Sequence, residues 1–406
     1  MKAAIFLMLI MSYVKAMTQE KISFSPSGWK SCDANTKKFD ESEFDDPNVL
    51  AQRKQGAALP AECQRFTAPL CYPGICDSNT TITLFVKRIV SSSASKAIWV
   101  MDGGPGAASV DMEFFMQDTY VDMNGAFSVY TMDHRGTGRS NKLECSGDAS
   151  DVNNTAECVN HLNQRYGDNA AGFSITSAAM DIVTLTSLID SKADWYVYGV
   201  SYGTYLMERV MHLQDKFTYK GYILDSVVPE TMNVSDGDAA YGAIADRILK
   251  LIDVQEKTTT PLRDQLEAFY KEIDSNANHK CGAWVRDVVG VDDKDPPSYA
   301  ARWLFGMLFG SGELRGVFYT LFTIMRRYLN KCEEKCSIDD TVILQAVRKY
   351  VKDIGLFDAN ITSDYDSLIL YYVILSSEHQ LFYTPAPTLS ILKAYFLDQI
   401  AGDPIY

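Results

Sequence analysis

One twenty-residue segment, DWYVYGVSYGTYLMERVMHL from Asp194 to Leu213, constrains the fold of this chain more than any other. An apolar, β-prone run (WYVY) leads into Gly199-Val200-Ser201-Tyr202-Gly203, and apolar positions at helical spacing follow. The pattern predicts a strand that turns directly into a helix with a serine at the corner. Glycines on both sides of the corner let strand and helix pack closely. The start of the helix sets backbone N–H groups and a positive dipole end beside the serine. Such a corner can be a structural turn, but it is also the geometry that exposes a hydroxyl for attack, so Ser201 is the candidate nucleophile.

The flanking sequence supplies the context that the corner needs. TITLFVKRIV (81–90) alternates like a strand, and AIWVMDGG (97–104), AFSVYTMDHRGTG (126–138) and YKGYILDSVVP (219–229) are apolar runs ending in Gly or Asp. SAAMDIVTLTSLID (177–190) has helical spacing. Strands apolar on both faces, alternating with helices, predict an α/β fold with a mostly parallel sheet over residues 81–230. Residues 17–80 are polar and irregular, and read as a strap tied down by cysteines. After Pro229 the texture is helical, and residues 231–406 read as a helical domain with no internal repeat.

The net charge of −14 over 406 residues opposes nucleic-acid phosphates and anionic membrane surfaces. The N-terminus, MKAAIFLMLIMSYVKA, has one early lysine, an apolar stretch too short for a membrane span and small residues before a site after Ala16; it reads as a secretory signal, 1–16, and predicts a secreted product. Sequons at Asn79, Asn153, Asn233 and Asn360 fit that compartment, as do nine cysteines. Cys71–Cys76 and Cys145–Cys158 are the first pairings expected from their short separations. Nine is odd, so at least one cysteine lacks a partner within the chain. Cys332 and Cys336 have no further ligands at metal-site spacing, and neither a metal nor another cofactor is expected.

Two further motifs point to the same corner. MDGGPGAAS (101–109) ends a strand with glycines that can aim an N–H at a developing oxyanion; Gly104 is the expected donor, paired with the N–H of Tyr202. In DHRGTGRS (133–140), Asp and Arg are expected to fix loops near the site. In their order, GGPG, DxRGxGxS, GxSYG and LDSVVP resemble the prolyl iminopeptidase/tripeptidyl aminopeptidase family of α/β-hydrolases, and the lead-in AECQRFTAPLCY resembles that family's as well, departing from it at Cys71. The resemblance covers residues 60–230. It implies a serine exopeptidase that acts on peptides with a free N-terminus, a Ser-Asp-His triad with Ser201 as nucleophile, and a helical cap over residues of about 236–400.

The acid and the histidine should follow the cap, on loops after two further strands. Of His134, His161, His212, His279 and His379, only His379 lies in that part of the chain, near Asp364 and Asp366, and no strand–loop–strand unit surrounds it. His379 is therefore a weak alternative base. The expectation is a sheet without its last two strands, lacking roughly 60–120 residues at ~30 or more per βα unit. Three readings follow: a secreted serine exopeptidase cut short, an inactive product with a binding role, or an ester or lipid hydrolase on the same fold. An α-ammonium site would need carboxylates, for which Glu378, Asp364 and Asp366 are the candidates.

Overall fold

A computed structural model describes residues 24–37, 46–145, 155–230 apart from 214 and 216, 234–327 apart from 277, 292, 293 and 313, 338–354, 364–378 and 388–401. The signal segment, three of the sequons, Cys332, Cys336 and His379 lie outside these residues; the fourth sequon residue, Asn79, is exposed. Two compact units are present, one made of residues 1–230 with 362–378, the other of 231–361 with 379–406.

The first unit is built on an eight-stranded sheet. Its strands are β1 (Ser25–Pro26), β2 (Lys30–Cys32), β3 (Ala61–Pro69), β4 (Thr81–Ile89), β5 (Lys96–Met101), β6 (Ser128–Met132), β7 (Asp194–Val200) and β8 (Gly221–Asp225). They run in the order β1-β3-β4-β6-β5-β7-β8, with β2 also paired to β3. The pairs from β1 to β6 are antiparallel, and β6-β5-β7-β8 are parallel. The sheet is thus mixed rather than mostly parallel, because the segment read as an irregular strap contributes β3, a nine-residue strand in register with β4 from Ala61↔Ile89 to Pro69↔Thr81. The strap also holds a helix, α1 (Pro47–Ala57), capped by the Asp46 side chain.

Alternation along the central strands fills both faces. Trp99 and Met101 on β5 join Trp195 and Val197 on β7 in one core, where Trp99 stacks on Trp195 at 5.7 Å between centroids. This face is covered by α4 (Ile175–Asp190) and α5 (Tyr202–Met211), reached through α3 (Thr155–Arg165) and a 3₁₀ turn at Gly167–Phe173. Ile98, Val100 and Tyr198 face the other way, toward Met112, Met116 and α2 (Glu113–Asp122). Disulfides join Cys32 to Cys63, Cys71 to Cys76 and Cys145 to Cys158; the last two are the pairs expected from spacing.

The second unit comprises α6 (Val234–Glu256), α7 (Leu262–Ser275), α8 (Lys280–Val289), α9 (Pro297–Gly310), α10 (Arg315–Arg327), α11 (Ile338–Ile354) and, after the intervening excursion, α13 (Leu389–Asp398). Its core centres on Phe305, Phe318 and Phe322, with Tyr270 donating a hydrogen bond to the Ile400 carbonyl at 2.6 Å. The remaining helix, α12 (Leu368–Ser377), was expected in this domain. It packs instead in the first unit, where Ile369, Leu370 and Ile374 enter the core beside the sheet. No single helix among the described residues is long and apolar enough to cross a membrane.

Candidate active site

At the corner between β7 and α5, Ser201 has φ 53° and ψ −124°. A non-glycine residue with positive φ is uncommon and persists where its surroundings impose it. Three glycines do so here. A Cβ at Gly199 would lie 2.2 Å from the Gly203 carbonyl oxygen, and one at Gly203 would lie 2.6 Å from that of Asp102. A Cβ at Gly103 would come within 2.9 Å of the Ser201 Cβ. The backbones of the corner and of the loop after β5 therefore touch without side chains between them. The Ser201 amide is anchored to the Asp225 carbonyl at 2.9 Å, and its own carbonyl accepts from both the amide and the hydroxyl of Thr204.

The fold is that of an α/β hydrolase. The parallel β6-β5-β7-β8 half-sheet, the strained serine where β7 enters α5 and the glycine loop after β5 carry this assignment.

The two expected oxyanion donors lie on either side of the Ser201–Gly103 contact. Tyr202 is the first residue of α5, where an amide has no acceptor within the helix. Gly104 has φ 105°, a conformation open to glycine, and precedes Pro105. Among the described residues neither amide donates a hydrogen bond, whereas the Gly103 amide is held by the Asp102 carboxylate at 2.6 Å. The loop is clamped from its far side by the segment before α12: Ser367 donates its amide to the Gly106 carbonyl at 2.8 Å, and Asp366 accepts from the Ala108 amide at 3.0 Å.

The 133–140 loop has the structural role expected of it. Asp133 is fully buried and accepts from the Ser109 amide and from the Arg139 amide and guanidinium. Arg135, also buried, donates to both oxygens of Asp181 and to the carbonyls of Leu70, Gly172 and Pro69. Tyr72 donates to the same Asp181 at 2.6 Å. His134 lies behind the corner. Its Nδ1 is 2.7 Å from the Arg135 carbonyl, which only N–H can approach, so Nε2 accepts from the Tyr202 hydroxyl at 3.2 Å. Burial pushes this imidazole down to about 4, so it is neutral at physiological pH.

Asp102 is a feature that sequence reasoning missed. One carboxylate oxygen holds Gly103, and the other is buried with no hydrogen-bond partner. Burial raises its pKa to about 6 against the opposing Gly103 hydrogen bond, with Asp111 and Asp366 adding to the rise. Asp102, Gly103, His134, Tyr202 and Leu206 line a cavity of about 10 Å³, the room of roughly one water. The only signal available in the sequence was an acid directly before the Gly-Gly pair.

Among the described residues nothing hydrogen-bonds to Ser201 Oγ. His161 is exposed, His212 pairs with Glu230 at 2.8 Å, and His279 belongs to the helical unit. The three candidate carboxylates differ in their placement. Asp364 is exposed and contributes only its carbonyl, to Lys142; Asp366 braces the glycine loop; Glu378 accepts from the Ile175 amide at 2.9 Å. Glu378 is also near enough to Tyr202 and Tyr205 for its charge to help raise both phenols, with burial as the larger cause. No group of three His, Cys, Asp or Glu side chains among the described residues has metal-site geometry.

No known protein family's profile matches the sequence, and no curated protein does. Among solved structures, the chain is similar to a cold-adapted esterase from an Arctic intertidal metagenomic library at 12% identity and TM-score 0.26, covering 40% of this chain and 60% of the esterase. A lipase in its open form is 16% identical at TM-score 0.22, over 35% of this chain and 39% of the lipase. The Aspergillus niger epoxide hydrolase is 13% identical at TM-score 0.29, over 68% of this chain and 60% of the hydrolase. The chain thus spans less than two thirds of the length of each, and at these scores the fold assignment rests on its own topology and corner.

Proposed function

We propose that this chain carries the nucleophile and oxyanion half of a secreted serine exopeptidase site. Ser201 attacks the carbonyl carbon of the first susceptible peptide bond, and the Gly104 and Tyr202 amides receive the negative charge that develops on its oxygen. Glu378 takes the α-ammonium of a peptide with a free N-terminus. The observation that carries this reading is the backbone of Ser201, held at positive φ against Gly103. The four motifs that resemble prolyl iminopeptidases and tripeptidyl aminopeptidases support the peptide class, and Glu378 beside Tyr202 supports the N-terminal preference.

Attack also needs a base to remove the hydroxyl proton, and loss of a triad member costs several powers of ten in rate. With no base on Ser201 among the described residues, residues 17–406 are expected to label with a fluorophosphonate only at a trace rate, and Ser201→Ala abolishes that trace. Rapid labelling lost in both Ser201→Ala and His379→Ala would make His379 the base. Labelling that survives Ser201→Ala would overturn the assignment of the nucleophile. Turnover of acyl esters but not of aminoacyl anilides would replace the peptidase reading with an ester hydrolase.

A further inference from the structure

The helical unit holds a cavity of about 200 Å³, far larger than the one beside Asp102. Its wall is formed by Ile244 and Ala245 of α6, Gly306 and Phe309 of α9, Arg315 at the start of α10, and Ala401. Small residues leave the space open: Ala245 and Ala401 are buried, and neither they nor Gly306 can reach across it. The pocket opens to solvent where Ile244, Gly310 and Arg315 are exposed, and its volume has room for a single ring or a short branched chain with an arm.

Tyr241 of α6 also lines it, and Arg315 is the one charged group of the wall. Arg315 donates its Nε to the Phe309 carbonyl at 2.6 Å, which fixes the plane of the guanidinium. Its two terminal nitrogens have no acidic partner among the described residues. Asp246, next but one to Ile244 on α6, is committed to Arg263. Arg315 also opens a thirteen-residue helix, whose positive end adds to its charge. A planar guanidinium whose terminal N–H groups have no acidic partner among the described residues matches a carboxylate, which it can bind in a two-pronged way.

We propose that this cavity binds a small apolar carboxylate, with an aryl or branched-alkyl body inside and the carboxylate on Arg315. The site lies within the helical unit and stands independently of the chemistry at Ser201. Phenylacetate is a suitable probe and phenylacetamide its neutral counterpart. Titration of the secreted chain by calorimetry, with ligand-observed NMR, should show phenylacetate binding at least about tenfold more tightly than the amide, as expected for a hydrogen bond to a charged group. Arg315→Gln should remove that preference and leave amide binding unchanged. Ile244→Asp, at a half-exposed position where the fold tolerates a charge, should weaken phenylacetate further by placing a like charge on the wall. Ser201→Ala should change nothing. Equal affinity for acid and amide, phenylacetate binding unaltered by Arg315→Gln, or no phenylacetate binding at all would overturn the proposal. Binding lost in Ser201→Ala would also overturn it, by moving the ligand to the serine.

Discussion

The two edges of the sheet are finished in opposite ways. On one, β1 and β2 both pair with β3, and the Cys32–Cys63 disulfide crosses the same pairing. Beneath that edge Lys87 is buried, donating to the carbonyls of Asp33 and Ala34, to the Thr36 hydroxyl and to Glu113. On the other, β8 pairs with β7 alone among the described residues, and Ile223 and Val227 are 49% and 52% exposed. An edge that offers unpaired backbone groups and apolar side chains invites another strand. The comparison teaches where this unit stores its stability. It is concentrated on the strap side, in buried charges and a covalent link, and is thin on the side that carries Asp225 and, through it, the Ser201 amide.

The contrast can be broken most forcefully at Lys87. Lys87→Met leaves Glu113 buried without its closest cation, and removing one partner of a buried pair costs about 3–5 kcal/mol. Thermal unfolding should shift accordingly, and a loss under about 1 kcal/mol would show that the strap edge is not the stronger one. An intermediate effect is expected between the edges, at Asp102. Its folded pKa of about 6 lies above the reference 3.8, so the proton is held more tightly in the native state. That stabilisation is complete below about pH 4 and is lost as pH rises through about 6. Asp102→Asn keeps an acceptor for the Gly103 amide and avoids the buried charge. It should gain about 1–2 kcal/mol at pH 8 relative to pH 4, measured by denaturant unfolding at both values. The smallest effect belongs to β8: Ile223→Lys should alter stability by no more than about 0.5 kcal/mol while lowering self-association in sedimentation. A large loss there would mean that the exposed edge is already engaged.

Much of the first unit was legible in the sequence because its central strands are buried on both faces and so spell long apolar runs. TITLFVKRIV, AIWVMD and WYVYGV each fall on a strand, and the corner at Ser201 is where the pentapeptide puts it. β3 was missed for a physical reason. AECQRFTAP carries Glu62, Gln64 and Arg65 along a strand near the edge, so the alternation that would reveal it is broken. α12 was seen as a helix but given to the wrong unit. Its sequence, LILYYVILSS, is apolar all round, so no stripe declares which partner it faces. That choice is made by contacts remote in sequence, Ser367 with Gly106 and Gly138 with Tyr365, which no local pattern encodes. The same limit hid Asp102, whose importance comes from burial among groups brought together only by the fold.

The return of α12 to the sheet has a consequence for synthesis of the chain. Residues up to 230 leave the ribosome with the seat of Leu370 and Ile374 still empty, and about 140 more must be made before the helix that fills it exists. At 5–20 residues per second that interval is roughly 7–28 s. For that time the nascent protein displays an apolar groove next to its glycine loop, and helices α6 to α11 must emerge before the loop receives its clamp from Asp366 and Ser367. The geometry around Ser201 is therefore among the last parts of this unit to be completed, long after Ser201 itself has been translated.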